Sequence, residues 1–170
     1  MKTLPILLGV LFMTYSSTLK ADNWQIVNDG IMGGLSYGRI NIDNQLTIFQ
    51  GHISTENNGG FSSAYQESPK LSDKTRSVQI TIKGDGLRYQ LRVRSQINGY
   101  EMAYKVEFDT TANKLETLTF NLNEFQATFR GRNIDNAPQL QATAISHIGF
   151  LINHKQPTDF SLSIQSIRFI

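Results

Sequence analysis

The chain has 170 residues, 39% of them hydrophobic and 18% charged, which is enough for one domain with a sizeable core and too apolar for a disordered chain. It contains no cysteine, which excludes disulfides, thiolate metal sites and cysteine nucleophiles. The formal charge is +2, and taking Lys2 and Lys20 from the 16 basic residues leaves 14 against 14 acidic ones, so no bias toward nucleic acid survives in the mature chain.

Residues 1–21 have the layout of a secretory signal peptide. Lys2 precedes a short apolar run from Leu4 to Met13, a polar stretch Tyr15-Ser16-Ser17-Thr18 follows, and Ala21 is the expected last residue before cleavage. The run is shorter than the roughly 20 residues that span a bilayer. The expectation is a periplasmic or secreted protein whose mature part, residues 22–170, is a single soluble domain.

From Asn23 onward the apolar period is close to two, the mark of strands with one face in a core. Trp24-Gln25-Ile26-Val27 is a short opening strand. Arg39–Ile42 and Gln45–Phe49 flank Asp43-Asn44, which reads as a two-residue hairpin turn. Phe61–Gln66 makes the next strand, and Pro69 breaks the chain. Val78, Ile80 and Ile82 alternate toward Gly84-Asp85-Gly86, which reads as a tight turn answered by Leu87, Tyr89, Leu91 and Val93. Asn98-Gly99 turns into Tyr100–Phe108, and Leu115–Phe120 is a further strand. A stretch from about Asn123 to Ala144 shows no clear alternation and reads as a long loop. Ile145–Ile152 follows, then Phe160, Leu162 and Ile164, with Ile167 and Phe169 resuming the pattern after a shift. About ten antiparallel strands with frequent turns predict an all-β sandwich or jelly roll.

Two loops are unusually rich in glycine and amides. One is Asn28-Asp29-Gly30-Ile31-Met32-Gly33-Gly34, and the other is Asn57-Asn58-Gly59-Gly60. Both ask for backbone that L-residues resist, and both exceed what a simple turn needs. Such loops are shaped either to pack on one another or to hold a ligand.

The run Val27-Asn28-Asp29-Gly30-Ile31-Met32-Gly33-Gly34-Leu35-Ser36 after Trp24 resembles the opening signature of the complex I intermediate-associated protein 30 family. Asn57 to Ser63, Gly84 to Tyr89, Phe129-Arg130-Gly131-Arg132 and the ending from Ile148 to Leu162 fit the same family in the same order. Leu115 stands where the family usually has tryptophan, and Asn121-Leu122 where Pro-Phe is common. The resemblance implies a galactose-binding-like jelly roll and a non-catalytic role as an assembly factor. The leader departs from the mitochondrial pattern and implies a partner outside the cytoplasmic membrane, such as the outer face of a membrane complex.

The candidate sites divide by chemistry. Gly34-Leu35-Ser36-Tyr37-Gly38 spells a nucleophile elbow, but that device needs a strand before it and a helix after it, and a β pattern follows here. His52, His147 and His154 lack metal-ligand spacing. Asn28 and Asp29 offer oxygens of the sort calcium takes, and galactose-binding-like domains often carry a structural calcium. One carboxylate falls short of six or more ligands, however, so Asp29 is expected to cap its own turn. Neither a metal nor a cofactor is expected.

Arg88, Arg92 and Arg94 share one strand face with Gln90, opposite Leu87, Leu91 and Val93. Such a face is either merely solvated or the floor of a polar groove. In the second case Arg88 and Gln90 floor the groove, Asn57, Asn58, Arg130 and Arg132 rim it, and Asn28 and Asp29 complete the set. Guanidiniums and amides suit protein carbonyls and carboxylates or sugar hydroxyls. The sequence therefore predicts a non-enzymatic module that binds a protein partner, with a glycan ligand as the alternative. Exposure of Tyr37, Tyr65 or Tyr100 separates the two, because sugar sites present aromatics for stacking.

Overall fold

A computed structural model describes residues 24–170 apart from Gln45 and Asn98. The signal-peptide reading of residues 1–21 and the first residue of the Asn98-Gly99 turn lie outside the described residues. Among these residues the chain forms twelve strands, two more than the alternation alone reveals. In order they are β1 (Trp24–Asn28), β2 (Tyr37–Asp43), β3 (Leu46–Ile53), β4 (Phe61–Glu67), β5 (Ser77–Lys83), β6 (Arg88–Ile97), β7 (Tyr100–Asp109), β8 (Leu115–Asn121), β9 (Gln126–Phe129), β10 (Arg132–Asn133), β11 (Ile145–Asn153) and β12 (Thr158–Phe169). They build two antiparallel sheets. One has seven strands in the order β1-β4-β11-β6-β7-β9-β10, and the other five in the order β2-β3-β12-β5-β8.

The core lies between the sheets. Tyr89, Leu91 and Val93 of β6 and Ile148, Phe150 and Ile152 of β11 face Phe49, Ile53, Val78, Ile80, Ile82, Leu162 and Ile164 from the other sheet, all essentially without solvent contact. Each such side chain contributes roughly 1.5–3 kcal/mol of transfer free energy, so the core carries a chain that has no disulfide to help it. Phe108 bridges the layers, lying 5.9 Å from Phe120 across the sandwich and 6.3 Å from Phe150 beside it. Trp24, buried at the opening of β1, stacks at 6.4 Å on Phe150 and serves the core.

Three local expectations change. Gly84-Asp85-Gly86 is not a hairpin turn, because β5 belongs to the five-stranded sheet and β6 to the seven-stranded one. The segment carries the chain from one layer to the other, and Asp85 ties it down: its carboxylate accepts the N–H of Leu87 (3.0 Å), the N–H of Ser161 on β12 (2.7 Å) and the hydroxyl of Tyr89 (2.8 Å). Asp43 belongs to β2 and pairs with Leu46, so the first hairpin turns one residue later than expected, with Asn44 at φ +46°. The stretch from Asn123 to Ala144 contains β9 and β10, which are too short to show a period of two. The apolar shift before Ile167 is real: the pairing of β12 with β5 slips between Ile164 and Ser166, a bulge that keeps both ends of the strand in the core.

Candidate functional site

The two glycine-rich loops pack on one another. The hinge is Asp29, fully buried, whose Oδ1 accepts the N–H of Ser36 at 3.0 Å and whose Oδ2 accepts those of Gly60 at 2.6 Å and Phe61 at 3.2 Å. Burial would raise its pKa, but these bonds, with the Ser36 side chain adding to them, outweigh burial and hold the carboxyl below its ordinary value. Asp29 thus closes its own loop at Ser36 and, beyond the expected cap, ties it to the neighbouring loop at Gly60 and Phe61. The glycines follow from this contact. A Cβ on Gly34 would sit 2.3 Å from the Asp29 carboxyl carbon, and one on Gly59 2.6 Å from its Oδ2. Asn28 accepts the Ser62 hydroxyl at 2.7 Å, and Asn57, at φ +54°, donates its amide to the Gly33 carbonyl at 3.0 Å. Asn57 and Asn58 remain exposed.

Ser36, the serine of the elbow-like motif, is buried beneath this junction. Its hydroxyl donates to the Ser54 carbonyl at 3.1 Å and accepts the Ser54 N–H at 3.0 Å. It joins β2 to the end of β3 as a structural clip. His52 pairs with Asp159 at 2.7 Å and stacks on Tyr37, His147 meets the Ser146 hydroxyl at 3.1 Å, and His154 meets the Gln156 carbonyl at 2.7 Å. Among the described residues no group of three histidine or carboxylate side chains is placed to hold a metal.

The arginine ridge lies on the outer face of the seven-stranded sheet. Tyr89, Leu91 and Val93 point into the core, so period two sends Arg88, Gln90, Arg92 and Arg94 outward. Register supplies their neighbours. Arg88 stands opposite Asp109, Gln90 opposite Glu107 on one side and Leu151 on the other, and Arg92 between Lys105 and Gly149. Arg88 holds Asp109 with two parallel bonds of 2.7 and 2.8 Å. Glu107 accepts Lys105 at 2.8 Å and the Gln90 amide at 3.2 Å, while the Gln90 oxygen accepts Arg92 at 3.1 Å. Lys105 is the main reason that the Glu107 carboxyl lies below its ordinary pKa, as Arg88 is for Asp109. This is a belt of interlocked polar groups, with Gln90 buried at its centre and Arg88 and Asn153 exposed at one end.

The predicted site residues separate into two places. Asn57 and Asn58 lead into β4, whose Phe61 pairs with Asn153, so they lie at the Arg88 end of the sheet. Arg130 and Arg132 belong to the β9–β10 turn. Thr128 pairs with Ala103, and Ala103 with Arg94, which puts that turn beyond the far end of the ridge. Arg88 and Arg94 are six residues apart, roughly 20 Å of strand. Arg130 lies instead over the exposed ring of Phe129, 5.4 Å from its centre. Sequence reasoning missed the acidic side of the belt, Glu107 and Asp109, whose only signal was alternation on β7.

The tyrosines divide likewise. Tyr65 shares the outer face with the ridge but is 5% exposed, covered by the Arg94 guanidinium 4.1 Å above its ring. Tyr37 is exposed on the edge strand β2 of the other sheet, and Tyr100 is exposed beside the Gly99 turn.

A family model for complex I intermediate-associated protein 30 matches residues 13–164. A curated relative, an uncharacterized protein of Schizosaccharomyces pombe, is 23% identical over 177 residues, covering 88% of this chain and 80% of that one. Among solved structures, the family 11 carbohydrate-binding module of the cellulosomal cellulase Lic26A-Cel5E of Clostridium thermocellum superposes with a TM-score of 0.67 at 14% identity, over 92% of each chain. The Clostridium thermocellum family 11 module in complex with a β-1,3-1,4-mixed-linked tetrasaccharide gives 0.63 at 15% identity, over 87% of this chain and 88% of that one. These likenesses show the fold.

Proposed function

Because the chain belongs to the complex I intermediate-associated protein 30 family, we propose that it is an exported, non-catalytic module that binds a protein partner through the outer face of its seven-stranded sheet. The observation that carries this reading is the belt from Arg88 to Arg94, where guanidiniums, amides and carboxylates lie edge to edge on a rigid sheet. Pre-aligned donors and acceptors of both signs match a partner's backbone and charged side chains, and little ordering is needed on binding. Nothing in the belt resembles a nucleophile with its base. Asp29, which is buried, and Asp85, which is half-buried, are engaged in holding loops. The apolar run ahead of Ala21 supports export, and the partner then lies outside the cytoplasmic membrane, on the exposed part of a membrane complex.

A glycan reading is favoured by one observation, the position of Tyr65 on the same outer face, in a fold shared with modules solved as carbohydrate binders. Arg94 covers that ring, so a sugar could stack there only after displacing the guanidinium.

The test is a pull-down from detergent-solubilised envelope with the tagged protein as bait, beside a glycan array. A membrane-complex partner that is lost with Arg88→Ala, with melting unchanged, supports the protein reading. An array hit with a silent pull-down overturns it. N-terminal sequencing of the protein recovered outside the cytoplasm should begin at Asp22, and an intact Met1 would refute export.

A further inference from the structure

The outer face of the five-stranded sheet is built differently from the arginine belt on the other side of the sandwich. Phe49, Ile53, Phe160 and Leu162 point into the core, and a Cβ on Gly38 would meet the Phe49 ring at 2.9 Å. Alternation therefore sends Tyr37 and Arg39 of β2, Gln50 and His52 of β3, and Asp159 and Ser161 of β12 outward. Register sets them in two rows, Tyr37 beside His52 beside Asp159, and Arg39 beside Gln50 beside Ser161. Tyr37 is 56% exposed. Its ring lies against that of His52, 6.3 Å between centres and 27° between planes, and Asp159 fixes His52 from the far side at 2.7 Å. An aromatic is thus held in place on this face without the guanidinium that covers Tyr65.

The second row ends in a notch. β5 stops at Lys83, opposite Ser163, and the chain then leaves for the other sheet. Gly84 is drawn against Thr110, where a Cβ would sit 2.3 Å away, and the Asp85 carboxylate is taken up by Leu87, Tyr89 and Ser161. No residue of β5 therefore pairs with Ser161, and a depression of about 250 Å³ opens there, lined by Lys83, Gly84, Asp85, Asn113, Ser161 and Ser163. Among the described residues, the side chains of Lys83, Asn113, Ser161 and Ser163 bond to no other protein group. An ammonium, an amide and two hydroxyls thus line the opening with their bonding capacity unused. From Tyr37 to Ser161 is two strands across and two residues along, roughly 12 Å.

We infer that this face is a saccharide site, with Tyr37 stacking on the apolar side of one sugar ring and Gln50, Ser161 and the notch taking the hydroxyls of the units that follow. A sugar hydroxyl both donates and accepts, and so do the amides and hydroxyls of Gln50, Asn113, Ser161 and Ser163. An aromatic platform beside such groups matches a ligand that is apolar on its ring face and polar at its edge. A protein is the poorer match, because every outward side chain between Tyr37 and the notch is polar and leaves no apolar centre to bury. Arg39 and Lys83, neither of which has a carboxylate partner among the described residues, accommodate an acidic sugar as well as a neutral one. The site lies across the sandwich from the arginine belt and from Tyr65, and it stands whether or not that belt meets a protein.

The test is a nitrogen-15 NMR titration of the purified protein with cellotetraose as a neutral probe and tetragalacturonate as an acidic one. At least one of them should shift the backbone amides of Tyr37, Gln50 and Ser161 together. Tyr37→Ala should weaken that binding about tenfold with the fold intact, the equivalent of one aromatic contact. Lys83→Met and Asn113→Gly, both at exposed positions of the notch, should weaken it as well. Silence toward both probes, or shifts confined to Tyr65 and Arg94 on the opposite face, would overturn the inference. So would full binding by Tyr37→Ala, or by both notch variants.

Discussion

Asp29 in the first glycine-rich loop accepts the backbone N–H of Gly60 in the second at 2.6 Å, across 31 residues of sequence. Three backbone donors converge on this one carboxylate. Asp29→Ala should therefore take the acceptor from one buried and two partly buried N–H groups and cost about 3 kcal/mol, read as a lowered urea midpoint. A variant as stable as the parent would mean that water replaces the carboxylate and that the loops do not depend on it.

The same contact sets an acid limb to stability. The folded-state pKa of Asp29 is lowered, because the hydrogen bonds outweigh burial. The stabilisation is complete above the unfolded carboxylate value, about 3.9, and is lost as pH falls through the folded value. The exposed pairs of Glu107 and Asp109 add to this limb at low salt and are screened at high salt. In about 1 M salt the parent should still lose stability below roughly pH 4 more steeply than Asp29→Asn. Superimposable curves would contradict the assignment.

At the junction of the two loops, glycine is required at two positions by contact with Asp29, whatever the backbone angle. Gly34→Ala and Gly59→Ala each push a methyl into the Asp29 carboxylate, at 2.3 and 2.6 Å. Each should cost about 1–3 kcal/mol, in keeping with overpacking in a tight interior. Gly30→Ala, with no neighbour within 4 Å, is the control and should fall well below both in thermal melts.

Asp85 plays a matching role between the two sheets. It joins β6, through the Tyr89 hydroxyl, to β12, through the Ser161 N–H, and so staples one sheet to the other. Burial, then the nearby Asp85 charge, keeps the Tyr89 phenol protonated throughout the ordinary pH range. Tyr89→Phe should cost about 1 kcal/mol, and Asp85→Ala clearly more, because it also orphans two backbone donors. Equal losses from the two would show that the backbone bonds contribute nothing.

These two acids also mark the limit of what the sequence discloses. Alternation over Val78, Ile80 and Ile82, and over Leu87 to Val93, reveals two strands with one buried face, and all of the sandwich but the short β9 and β10 is legible in such runs. Which strands pair is not. Gly84-Asp85-Gly86 reads as a local turn because glycine beside aspartate is turn chemistry, yet the partner that decides its conformation, Ser161, stands 76 residues away. Mutual packing of the two glycine loops was one of two open readings, and only the position of Asp29 decides it. The ridge Arg88-Gln90-Arg92-Arg94 was legible from period two. Its separation from Arg130 and Arg132 was not, because it follows from β7 intervening between β6 and β9.

The central claim, that the outer face of the seven-stranded sheet meets a protein, is tested most directly by site-specific photo-crosslinking in cells. A benzophenone amino acid at Asn153, exposed beside Gln90, should capture a defined envelope protein. The same group at Thr117, on the outer face of the five-stranded sheet, should capture none. Capture from Thr117 with none from Asn153 would move the binding surface to the opposite side of the sandwich and contradict the account.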